Sequence, residues 1–254
     1  MQEHNSSSKA RKGLVGLAVL AACMIVVVVV LCAAYVFNAQ AGLHSFSAQD
    51  DAQALEEASN NEPRVTNAST QVIQLVSLMG MTQDEALKAI GHGADVQEQR
   101  SLSSLGFSSE VVVALTDEKG DALSGTPTVT LGFDGDGRVA AASYEAATSL
   151  LGYGSLAFAP AVTEFHIVEH MLGEVGLSGV EEGSAALPDP SEYSTYESDG
   201  KTLAQQMYSF MGSAQSGDQV FSWQVTLDYD YSQANKTSDL ANTVKKIAVA
   251  IMKA

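Results

Sequence analysis

Two histidines and a glutamate in the stretch EFHIVEH, Glu164 to His170, have the residue types and spacing of a metal site. On a helix, His166 and His170 are i,i+4 neighbours, so their imidazoles share a face and can chelate zinc through two nitrogens. Glu169 beside them has the chemistry of a general base acting on a metal-bound water. A third ligand would come from Glu174, one turn on, or from an aspartate on a strand. On a helical wheel Phe165, Val168, Leu172 and Val175 gather on one side, while His166, Glu169, His170 and Glu174 gather on the other. A solvated polar helix face looks the same, and that is the reading adopted, with no catalytic, cofactor or metal residue assigned. Zinc-dependent peptidase chemistry on the H-x-x-E-H helix is the alternative, with His166 and His170 as its ligands.

Other constellations are weaker. Asp228 and Asp230 point the same way from a strand at about 7 Å, which suits a solvated face or a weak cation site. Asp134 and Asp136 begin like a calcium loop, but the third ligand position holds Arg138 and the following glycine is missing. Cys23 and Cys32 lie in one apolar run and are the only cysteines, leaving the rest of the chain without disulfide, thiol nucleophile or thiolate site. There is no G-x-S-x-G, no G-x-x-x-x-G-K-[ST], and no G-x-G-x-x-G before a helix.

The segments that must carry these residues begin with an apolar one. Gly13 to Phe37 runs for 25 residues without a charge. As a helix it measures about 37 Å, against a hydrocarbon core of roughly 30 Å. Lys9, Arg11 and Lys12 precede it, so the expectation is a single-pass anchor with a cytoplasmic stub at 1–12, a transmembrane helix at 13–37, an acidic stalk at 38–68 and an extracytoplasmic domain at 69–254. Leu20 to Cys23 resembles a lipidation signal and Ala39 to Ala41 a signal-peptidase site; either would change the anchor but not the side of the membrane. The net charge is −17, and residues 38–254 alone carry −19. Such a surface repels phosphate backbones, so nucleic acid is not an expected partner. The expected partners are the lipid bilayer, through residues 13–37, and an extracytoplasmic protein.

Within the folded region, Val72, Leu75, Val76 and Met79 form a helical stripe ended by Gly80. Thr82 and Glu85 make a capping box for a second helix, closed by Gly91. Strands follow at Glu110 to Leu115, at Thr128 to Phe133 and after the DGDG turn. A helix is expected from about Ala161 to Val175, and a second hairpin turn at Ser198 to Lys201. Phe221 to Ser232 alternates six times between apolar and polar residues, the pattern of a half-buried strand. A last helix is expected from about Asp239, with Leu240, Val244, Ile247 and Ile251 on one seam. The fold class is therefore α+β, an N-terminal transmembrane helix followed by antiparallel sheet with helices packed on one side, in the order ααβββ-α-βββ-α. The arrangement hints at two halves, about 69–150 and 155–254, in one continuous sheet or in two.

Two stretches, GMTQDEALKAIGHGADV (80–96) and VTLGFDGDGRV (129–139), resemble local signatures of the family that groups the small lipoprotein of the bacterial outer-membrane barrel-assembly machinery with secreted β-lactamase-inhibitor proteins. The resemblance implies a non-catalytic module that binds partners through a broad surface, and it carries no site residues over. The stretch HIVEHML also resembles the local motif of pitrilysin-type peptidases. No glutamate follows Glu197 to serve as that family's distant third ligand, and its Gly-Thr is replaced by Gly173-Glu174. The function expected is that of a membrane-anchored extracytoplasmic protein-binding or scaffold module without catalysis.

Overall fold

Thr82 opens a helix because its hydroxyl accepts the N–H of Glu85 while the Glu85 carboxylate accepts the N–H of Thr82. The Thr82 N–H and the Thr82 hydroxyl both donate to that carboxylate and hold it below its usual range, while the two backbone N–H bonds satisfy two orphan donors at the helix start. The computed structural model in which this is seen describes residues 72–254 apart from 92–93, 102–106 and 116–126, all of them within one unit, Thr66–Ala254.

A short helix α1 (Leu75–Leu78) buries Leu75 and Leu78. Gly80, at φ +81°, turns the chain into α2 (Gln83–Ile90), which Gly91 closes at φ +66°, a conformation that glycine adopts without steric cost. Four antiparallel strands follow: β1 (Asp95–Ser101), β2 (Ser109–Ala114), β3 (Thr128–Phe133) and β4 (Val139–Ala147). A helical pair comes next, α3 (Phe158–Thr163) and α4 (Ile167–Glu174), then the short α5 (Pro190–Tyr193). Strands β5 (Ser194–Tyr196), β6 (Leu203–Ser216) and β7 (Gln219–Asp230) lead through α6 (Ser232–Thr237) to β8 (Val244–Lys253).

All eight strands form one sheet in the order β1-β2-β3-β4-β8-β7-β6-β5. Each half of the described residues thus has a pair of helices ahead of a four-stranded meander, the second half adding the short α5 and α6. The halves meet where β4 pairs antiparallel with β8, from Ala141↔Met252 to Ala147↔Lys246. Alternate strand residues, among them Val111, Leu131, Tyr144, Val249 and Val225, share one core with Leu75, Ile90, Phe158, Val168 and Leu172 from the helices. Phe158 stacks on Tyr193 at 5.1 Å and meets Tyr229 edge-on at 5.4 Å. The Lys245 ammonium donates to the carbonyls of Gly154 and Leu156 and lies 5.2 Å from the Tyr229 ring centroid; burial lowers its pKa.

This corrects the expected class and order. The described residues form an eight-stranded antiparallel sheet, where six strands were expected. Strand β1 was not expected at all, because DVQEQRS is short of apolar residues and, among the described residues, its outer side has no neighbour strand. The last helix is a strand: Ile247, Val249 and Ile251 are buried at every second position, and that period-2 signal outweighs the i,i+4 coincidence of Leu240 with Val244 and of Ile247 with Ile251. The helix expected over 161–175 is broken at Glu164 to His166, where His166 adopts φ +47°. The break resets the helical phase, so Phe165, placed on the apolar stripe by the wheel, is instead exposed.

The single-pass membrane reading and its localisation are also corrected. No helix among the described residues is long and apolar enough to cross a membrane, the longest having eight residues. The stretch 13–37, the stub and the stalk lie outside the described residues.

Candidate functional site

The three residues of the H-x-x-E-H motif are each committed to a different neighbour. His166 precedes α4 as its N-cap, and its Nε2 lies 3.5 Å from Glu182. His170, exposed on α4, has its Nδ1 3.1 Å from the Tyr153 hydroxyl. Glu169 is 6% exposed, and its Oε1 accepts the N–H of Ala185 at 2.7 Å. The carboxylate thus ties down the loop after α4 rather than facing an open coordination site. Among the described residues no group of three or more His, Cys, Asp or Glu is placed to hold a metal ion.

The carboxylate pairs divide in the same way. Asp134 Oδ1 accepts the N–H groups of Asp136 and Arg138, both at 2.9 Å, and so closes its own hairpin turn. Asp228 accepts from Gln205 Nε2 at 2.6 Å, and Asp230 accepts the N–H of Ser232 ahead of α6 at 2.7 Å. Burial pushes the Asp228 carboxyl above the usual range; the Gln205 bond opposes that shift, nearby Asp230 adds to it and Lys246 opposes it. Neither aspartate is poised against the other as an acid–base couple.

What the fold assembles instead is a surface. Since the core lies on one side of the sheet, the intervening strand residues face the other. Across the strands, one row there runs Glu110, Gly132, Ala141, Met252, Ser222 and Ser213. The next runs Val112, Thr130, Ser143, Ala250, Gln224 and Met211. Small side chains dominate the centre. Glu145 and Lys246 pair at 3.3 Å, and Ser209, Thr226 and Gln224 hydrogen-bond to one another. Met207 (44%), Met211 (49%) and Val220 (48%) stand exposed on the β6–β7 side. On the other half, the Phe107 ring comes to 3.3 Å from the point a Gly132 Cβ would occupy; a side chain at Gly132 would displace it.

No sequence motif marks these residues. IAVAI, Ile247 to Ile251, carried the signal as alternation of small and branched residues, hidden by the helical reading. The alanines of β4 lie on both faces, so composition alone could not orient that strand. No protein-family model, no curated protein and no solved structure matches the chain.

Proposed function

We propose that the chain is a protein-binding module without catalysis that takes its partner on the face of the sheet turned away from the helices. The observation that carries this is the composition of that face: rows of Gly, Ala, Ser and Thr across the central strands, edged by exposed Met207, Met211 and Val220. Small, weakly polar side chains let a partner approach closely and cost little to desolvate, whereas buried unpaired charges cost much. Methionines adapt their shape to what they meet and are enriched in interfaces. The local resemblance of residues 80–96 and 129–139 supports the same reading, since that family binds through broad surfaces. The acidic balance of the chain argues against nucleic acid as the partner. No observation favours zinc peptidase chemistry over docking.

The test uses a photoreactive amino acid placed at Ala250, in the middle of the face, or at Lys88, on α2. The face reading expects a protein to be captured from position 250 and not from position 88. Ala250→Arg is expected to abolish binding of that protein, with thermal unfolding unchanged. Equal capture from both positions, or binding indifferent to the arginine, would sink the proposal.

A further inference from the structure

A thioether can take up oxygen without any break in the chain, and the product is polar where the parent was apolar. Among the described residues Met171 and Met252 are buried and Met79 and Met81 half-buried, whereas Met207 and Met211 are exposed. Both exposed methionines lie on β6, on the face turned away from the helices, at positions i and i+4 and so about 13 Å apart. Their surroundings differ. Gln205 Nε2 donates one hydrogen to Asp228 Oδ1 at 2.6 Å and with the other stands 4.0 Å from Met207 Sδ. A thioether sulfur is a weak acceptor, so that second hydrogen is poorly used, and an oxygen on the sulfur would come within its reach. Met211 lies opposite Gln224, whose Nε2 donates to Ser209 and to Thr226 and keeps no hydrogen for an oxide there.

We propose that Met207 and Met211 are sites of reversible oxidation by peroxide, that the Gln205 amide receives the oxide of Met207, and that oxidation turns docking on this face off. The last part rests on the docking reading above; the first two do not. In the step, the sulfur gives an electron pair to one oxygen of hydrogen peroxide. An S–O bond forms, the O–O bond breaks, and the other oxygen leaves as water. Sulfur is oxidised and peroxide reduced by the same electron pair, and a reductase returns the thioether. Exposure selects the two residues, since an oxidant reaches the buried Met171 and Met252 only when the fold opens. The effect on docking follows from the change in polarity. A thioether on the face is cheap to cover and adapts to its neighbour, whereas a sulfoxide must be stripped of water before a partner can settle on it. At Met207 the Gln205 hydrogen bond holds the oxide in place, so this position is the slower of the two to be repaired.

The experiment treats the full-length chain, carrying Cys23→Ser and Cys32→Ser so that no thiol consumes the oxidant, with hydrogen peroxide and follows each methionine by peptide mass spectrometry. Peptides holding 207 and 211 are expected to gain one oxygen before those holding 171 and 252. Methionine sulfoxide reductases of both epimer specificities are expected to clear position 211 faster than 207, and Gln205→Leu is expected to remove that difference. Capture from the photoreactive residue at 250 is expected to fall in step with oxygen gain at 207 and 211 and to return on reduction. With Met207→Leu and Met211→Leu together, whatever capture remains is expected not to respond to peroxide. Oxidation of 171 and 252 as fast as 207 and 211 overturns the sites, whatever becomes of docking. Equal repair of 207 and 211 in the chain with Gln205 intact overturns the role of the amide. Oxidation confined to 207 and 211 with capture unchanged overturns the switch and leaves docking standing. No capture before peroxide is added overturns docking and the switch with it, while the order of oxidation still decides the sites.

Discussion

A glutamate three residues after a helix N-cap can serve two ends, and this chain uses both. Glu85 reaches back to Thr82 and caps its helix, whereas Glu169, at the matching place after His166, reaches out to Ala185. The first arrangement was legible because both partners lie within four residues. The second was not, because Ala185 and Glu182 come from a loop that only the fold brings to α4. At Gly212 the fold imposes a different demand: a Cβ there would fall 2.5 Å from Cζ2 of Trp223, its cross-strand partner. Gly212→Ala is expected to destabilise the protein by about 1–3 kcal/mol through overpacking. Denaturant unfolding followed by the emission of the single tryptophan would measure it, with Gly135→Ala, which meets nothing within 4 Å, as the near-neutral control. Asp228 makes a pH-dependent counterpart. Its folded pKa is raised, chiefly by burial, so its contribution to stability is fully present below the unfolded pKa and lost as pH rises through the folded one. Asp228→Asn, which keeps an acceptor for Gln205, is expected to raise the melting temperature near neutral pH and to leave it unchanged at roughly pH 3, below the carboxylate range. A melting temperature lowered at neutral pH would show that the charged form is the stabilising one.

Elements were legible where their signals were local. The capping box of α2, the Asp134–Gly137 hairpin and the alternation of β7 each follow from a few adjacent residues, and each is found close to its expected place. Strand β8 was misread because Leu240, Val244, Ile247 and Ile251 fit a helix stripe as well as Ile247, Val249 and Ile251 fit a strand. Its neighbours β4 and β7, which decide the matter, are set by long-range pairing. The position of β8 between them also makes it the seam of the sheet. Ile247 is fully buried there, and Ile247→Ala is expected to cost about 2–5 kcal/mol. Val96, 39% exposed on the outer strand β1, is expected to tolerate alanine to within about 0.5 kcal/mol. Hydrogen exchange would separate the two cases, since the first substitution should speed exchange in β4 and β7 together. Equal losses at both positions would mean that β8 does not join the halves energetically.

At the scale of the whole molecule, composition indicated strong acidity and an absence of nucleotide, phosphate and thiol motifs, and the two-part rhythm of helices and strands was faintly visible. It could not show that the parts share one sheet, because nothing within either half announces which of its edges will be paired. The face proposed for docking was illegible for the same reason: its rows are drawn from six strands, each giving one residue. A guest on a sheet with matching halves would have two orientations, end for end, of nearly equal energy. Half-buried Val112 stands on one half and exposed Met207 and Met211 on the other, so half a turn exchanges a stiff branched side chain for two pliant thioethers. On the docking proposal that difference would give the guest a heading, and the surface would distinguish front from back in whatever settled on it.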